Sequence, residues 1–196
     1  MSQTPYPLSN ATDLEGYPTN VGQSVTESID TILATFWNPL GALPNHNFQW
    51  LGNWGGTTSY KINGVAIFCT TGAEPDQIRI YDAPTRGTLL YQNNAPTWVA
   101  VPGTSGAYTY IQCYFSPVVL TQVHCQLKRN NTGAFNLNEV VPFYGTQTPY
   151  SGFPILLKRS FTGRSSYKAP GRRKPKYSSY PDSIHPSSPL APNEVV

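Results

Sequence analysis

Three histidines, His46, His124 and His185, and three cysteines, Cys69, Cys113 and Cys125, are the side chains from which a nucleophilic or metal centre would have to be built. Their spacing does not build one. His124 is followed directly by Cys125 in an alternating run, so the two point to opposite faces of a strand, whereas zinc needs four converging ligands. No Gly-x-Ser-x-Gly elbow, phosphate-binding loop or dinucleotide fingerprint occurs. The chain therefore reads as a non-enzyme, with no catalytic residues, metal or cofactor. The cysteines, odd in number and set within apolar runs, read as reduced, buried small hydrophobes. The glycosylation sequons at Asn10 and Asn130 then carry little weight.

Two other constellations suit recognition. Residues 43–59 hold Asn45, His46, Asn47, Gln49, Trp50, Asn53 and Trp54 among Gly52, Gly55 and Gly56. Aromatic faces beside amides are what a sugar needs, so Asn45, Asn47, Trp50, Asn53 and Trp54 are the candidate carbohydrate-binding residues, with Tyr81, Tyr91 and Trp98 expected nearby. The competing reading is that Trp37, Trp50 and Trp54 plug one end of the core. The second constellation is basic: residues 158–176 carry eight Lys or Arg and no acid. Arg164, Lys168, Arg172, Arg173, Lys174 and Lys176, interleaved with Phe161, Tyr167 and Tyr177, could neutralise phosphates while rings stack on bases, or lie along a neighbouring subunit. A solvated tail is the third reading of the same residues.

The elements that would position these groups follow from composition. Only 12% of the 196 residues are charged, against about 25% in an average domain, while 19 Pro, 16 Gly, 13 Tyr and 8 Phe favour strands and turns. An all-helical fold is excluded. Apolar runs such as 65–69 and 155–157 fall far short of the roughly 20 residues of a membrane helix. The opening residues lack the basic and apolar regions of a secretory leader, so the chain is expected to stay where it is made. Residues 1–157 hold 5 basic and 8 acidic side chains, a net of −3, so the overall +3 comes from the segment that follows.

One short helix is predicted near residues 25–37: Ser24 and Glu27 make a capping box, and Val25, Ile29, Ile32, Leu33, Phe36 and Trp37 fall on one face before Pro39. From Tyr60 the period becomes two, and eight strands are predicted: 60–69, 77–82, 88–92, 97–101, 108–115, 118–128, 134–141 and 153–158. Ile111, Cys113, Phe115, Val119, Thr121, Val123, Cys125 and Leu127 should face inward, with Ser116 and Pro117 forming a hairpin corner between two strands. The predicted organisation is an extended N-terminal arm (1–23), an all-β antiparallel jelly-roll-like sandwich (24–160) and an extended basic, Pro-rich tail (161–196).

The run from Ile62 to Ile67, the Pro75 to Tyr81 stretch, and Tyr110 to Pro117 leading into Val123 to Leu127 resemble discoidin and galactose-binding-like sandwiches, and equally viral jelly rolls. The resemblance covers roughly residues 25–140, and the three cysteines are all internal to it. Such folds imply ligand sites on loops at one end of the sandwich, although no binding residue carries over by motif.

Low charge, no catalytic set and a tail-body-tail layout point first to a non-enzymatic virion structural protein. It would be a minor capsid, penton or cement subunit, made in the host cytoplasm, whose tails clamp other capsid subunits in a homo-oligomeric assembly. The alternative is a carbohydrate-binding module of a viral spike or fibre with a glycan partner. A third reading is a nucleic-acid-binding protein acting through residues 158–176.

Overall fold

The computed structural model of the chain describes residues 3–20, 22–39, 46–85, 87–130 and 135–146, all within the compact unit Met1–Gly163. Among these residues ten strands form: β1 (Thr4–Pro5), β2 (Asn10–Asp13), β3 (His46–Asn53), β4 (Tyr60–Thr70), β5 (Gln77–Tyr81), β6 (Leu89–Asn93), β7 (Val99–Ala100), β8 (Tyr108–Leu120), β9 (Gln122–Arg129) and β10 (Leu137–Tyr144). They make two five-stranded sheets, ordered β1-β10-β4-β8-β7 and β2-β3-β9-β5-β6, with every pairing antiparallel. The expected all-β antiparallel sandwich is thus the observed fold. No helix among the described residues is long and apolar enough to cross a membrane.

Alternation builds the core. Val65, Ile67 and Cys69 of β4, Ile78 and Ile80 of β5, and Val123, Cys125 and Leu127 of β9 turn into the space between the sheets and are fully buried. A second apolar cluster, Ala66, Phe68, Val141 and Phe143 with Leu33, covers the opposite face of the β4–β10 pair. All three cysteines are free and buried; burial pushes the Cys113 thiol up to about 12 and raises Cys69 and Cys125 as well.

Three expectations are corrected. The helix over 25–37 is a single 3-10 turn, Val25–Ile29, and Ser24 makes no side-chain cap. Asp30 ends it by accepting the Ile32 N–H at 2.8 Å and the Thr35 hydroxyl at 2.7 Å, offering the chain a turn instead of a helix. The hairpin corner at Ser116 and Pro117 does not exist: β8 runs through both residues and turns only at Thr121, which is exposed. Its pairing with β4 shifts register between Ile62 and Gly64, opposite Tyr114 to Val118. That bulge reverses the parity, so Leu120 is buried while Val119 is 62% exposed and Phe115 is only partly buried. Finally, the N-terminal segment placed outside the body supplies an edge strand to each sheet. Thr4 and Pro5 pair with Tyr144 and Phe143, and Asn10 to Asp13 pair with Asn53 to Trp50. The strand predicted at 153–158 and the tail 161–196 lie outside the described residues.

Buried polar residues of β10 fasten the segment after the 3-10 turn. Asn138 donates to the carbonyls of Leu33 (2.7 Å) and Thr35 (3.1 Å), and Glu139 accepts the N–H of Thr31, which sits in the left-handed region at φ 65°. Burial, with Asp30 adding to it, pushes the Glu139 carboxyl well above the ordinary carboxylate range, although the Thr31 N–H opposes this. A carboxyl whose folded value exceeds its unfolded value of about 4.3 contributes stability in acid and loses it as pH rises through the folded value. Glu139→Gln should therefore flatten this limb of the profile: in thermal melts the wild-type midpoint should fall between about pH 4 and pH 8 relative to the variant.

Candidate functional site

The outward face of the second sheet carries the site. In β3 the odd positions Asn47, Gln49, Leu51 and Asn53 point out, and in β9 the even positions Gln122, His124, Gln126 and Lys128 do the same, paired one to one across the ladder. Tyr81 ends β5 opposite His124, and Arg79 lies opposite Gln126. Of these, Gln49, Tyr81, His124 and Gln126 floor a hollow of about 620 Å³, within the range of about 300 to 1,000 Å³ typical of small-ligand sites.

Two turns wall it. On one side, Asp13 accepts the N–H groups of Glu15 (2.9 Å) and Tyr17 (2.8 Å), while the Leu14 N–H donates to the Gln49 carbonyl at 2.9 Å. That turn lays Leu14 and Glu15 against the rim. On the other side, the β5–β6 connection is closed by Asp82, whose carboxylate accepts the Thr88 N–H at 2.6 Å. Gly87 is required there, because a Cβ would stand 2.4 Å from the Ala83 carbonyl oxygen.

On the floor, the Tyr81 ring stacks on His124 with centroids 5.5 Å apart and 29° between planes. His124 Nε2–H donates to Gln49 Oε1 at 2.7 Å, and Gln126 Oε1 accepts from Arg79 at 3.3 Å. Burial holds the imidazole below the ordinary histidine range, the Ala83 carbonyl opposing the shift in part, so His124 is neutral near pH 7. Tyr81 keeps a half-buried ring at the edge of the hollow. A flat aromatic platform, two amides able both to donate and to accept, and a carboxylate at the rim can hold polyhydroxylated ligands by stacking and hydrogen bonding.

The residues singled out from the sequence are distributed differently. Trp50 is fully buried, its indole N–H donating to Ser28 Oγ at 2.8 Å; Trp54 is 6% exposed and donates to the Tyr6 carbonyl at 3.1 Å. Neither ring offers a face to a ligand, and the plug reading holds for both. Asn53 accepts the Gly55 N–H at 3.0 Å, and Asn47 is exposed at the other end of β3. Asn45, like Arg164, Lys168, Arg172, Arg173, Lys174 and Lys176, lies outside the described residues. Gln49 and Tyr81 reach the hollow, as do Glu15, His124 and Gln126, which sequence reasoning did not single out as binding residues. The even-numbered polar row of β9 was the available signal.

Trp98 lines a second hollow of about 230 Å³ with Glu74 and Asp76. Its polar groups are already engaged: Trp98 donates to the Pro75 carbonyl (3.3 Å), Glu74 accepts the Thr109 hydroxyl (2.8 Å) and Asp76 the Asn130 N–H (2.7 Å). Among the described residues no group of His, Cys, Asp and Glu side chains could hold a metal ion.

No protein-family model matches this sequence, and no curated protein matches it. Solved structures do share its fold. The CBM32-1 and CBM32-2 domains of ZmpB from Clostridium perfringens superpose with a TM-score of 0.56 at 15% identity, covering 74% of this chain and 36% of that one. Chitosan-binding module 1 of a chitosanase/glucanase from Paenibacillus sp. IK-5 gives 0.52 at 18% identity over 69% of this chain and 94% of that one. The family 32 module of C. perfringens NanJ, solved with galactose, gives 0.51 at 18% identity over 72% and 98%. This chain thus spans about a third of the first of these proteins and nearly all of the other two. The likeness to galactose-binding-like sandwiches is met at the level of fold; these findings lend no support to the viral jelly-roll resemblance.

Proposed function

We propose that the chain is a non-catalytic carbohydrate-binding module whose ligand site is the hollow on the outer face of the β3-β9-β5 ladder. The observation that carries this reading is the Tyr81–His124 stack flanked by Gln49 and Gln126. A half-buried ring at the edge of the hollow beside paired amides suits a sugar, whose axial C–H groups pack on an aromatic face while its hydroxyls both donate and accept. Support also comes from the shared fold with carbohydrate-binding modules, one of them solved with galactose. The virion reading rested on low charge, the lack of a catalytic set and the tail-body-tail layout; its tail 161–196 lies outside the described residues, and the similar structures lend it no support.

Calorimetric titration of the full chain with a panel of neutral oligosaccharides should give at least one saturable ligand, with a Kd between about 10 μM and 1 mM for so open a hollow. A panel that stays silent at 10 mM would overturn the reading.

A further inference from the structure

Glu15 is the one charged side chain among the described residues that line the hollow, and groups outside the hollow fix its position. The Asp13 turn places its backbone. His46, at the start of β3, donates from Nε2 to Glu15 Oε2 at 2.9 Å. The Tyr17 phenol oxygen hydrogen-bonds the same imidazole nitrogen, and its ring meets His46 edge-on at 5.0 Å. Burial and the neighbouring carboxylates Glu15 and Asp13 raise the Tyr17 phenol.

A carboxylate has about four acceptor positions, so the one contact from behind leaves most of them free. The Glu15 side chain is 31% exposed, which puts those positions within reach of a ligand. Among the described residues that line the hollow, His124 is neutral and Glu15 carries the one charge; Arg79 stands beside the floor, its guanidinium engaged by Gln126 Oε1 at 3.3 Å. Like charges brought together in a partly dried hollow repel, and a built-in repulsion is a common means of selection.

We infer that Glu15 sets the charge selectivity of this hollow: it accepts hydroxyls of an uncharged sugar and rejects glycans bearing a carboxylate or sulfate on the bound residue. His46 and Tyr17 are its positioning residues. The inference rests on the glycan-binding reading and adds the class of glycan.

A matched pair tests it: one neutral oligosaccharide that binds and its sulfated counterpart, titrated into the wild-type full chain, Glu15→Gln and His46→Gln. Wild type should favour the neutral sugar by about tenfold or more. Glu15→Gln, isosteric at a partly exposed position, should weaken neutral binding severalfold and bring the two ligands within about threefold of each other. His46→Gln should narrow the ratio with an unchanged thermal melt, which a merely structural role would not do. Equal wild-type binding of the pair, or a Glu15→Gln ratio like that of wild type, overturns the inference while leaving glycan binding intact. Binding of neither sugar overturns both.

Discussion

Trp50→Ala should lower the unfolding free energy of the body by about 3 to 5 kcal/mol, the cost of emptying a large buried aromatic site. The indole is fully buried within the main core cluster, and its N–H reaches the equally buried Ser28. Ser28 in turn donates to the Val25 carbonyl at 2.6 Å, so Trp50 ties β3 to the 3-10 turn. The backbone makes room for the ring at Gly52, where a Cβ would stand 2.4 Å from the Trp50 ring edge. Collapse around the vacated space would therefore have to move both β3 and the turn. Trp50→Phe keeps an aromatic filler and leaves Ser28 bonded to Val25, so it should cost less, about 1 to 3 kcal/mol. Urea titrations of the three proteins measure this. A loss below about 1 kcal/mol for Trp50→Ala would show the ring to be dispensable to the core.

That expectation runs against what composition suggested for the same residue. Trp50 and Trp54 beside asparagines look like a sugar platform when 43–59 is read as a loop. Once β3 is a strand, parity separates them: Phe48, Trp50 and Gly52 face in while Asn47, Gln49 and Asn53 face out. Gly52 and the asparagines hid the strand, because β-propensity ranks them low and long-range pairing with β9 overrides it. Alternation did place Ile111, Cys113, Val123, Cys125 and Leu127 in the core; it failed at Val119, beyond the bulge that changes the count, and at Thr121, which lies in the turn. The edge strands β1 and β2 are too short and polar to show a period. Their order comes from partners more than 35 residues away, which no local pattern contains. Likewise the hollow draws on β3, β9, β5 and the Asp13 turn, and only the pairing register reveals that these meet.

Tyr81→Ala should weaken sugar binding by about tenfold or more, equivalent to about 1.4 kcal/mol or more of ligand stacking, without unfolding the sandwich. The side chain is half-buried at the end of β5, and its ring packs on His124 rather than in the main core. Tyr81→Phe retains the platform and should stay within about threefold of wild type. If Phe weakens binding as much as Ala does, the hydroxyl and not the ring face is the recognition element.

The location of the site is the point most open to direct measurement. With backbone amides assigned, a bound neutral oligosaccharide should shift the resonances of Glu15, Gln49, Tyr81, His124 and Gln126 along one saturable isotherm, leaving those of Glu74, Asp76 and Trp98 in place. Shifts confined to the Glu74–Asp76–Trp98 hollow, or absent from the β3-β9-β5 face at saturation, would contradict the account.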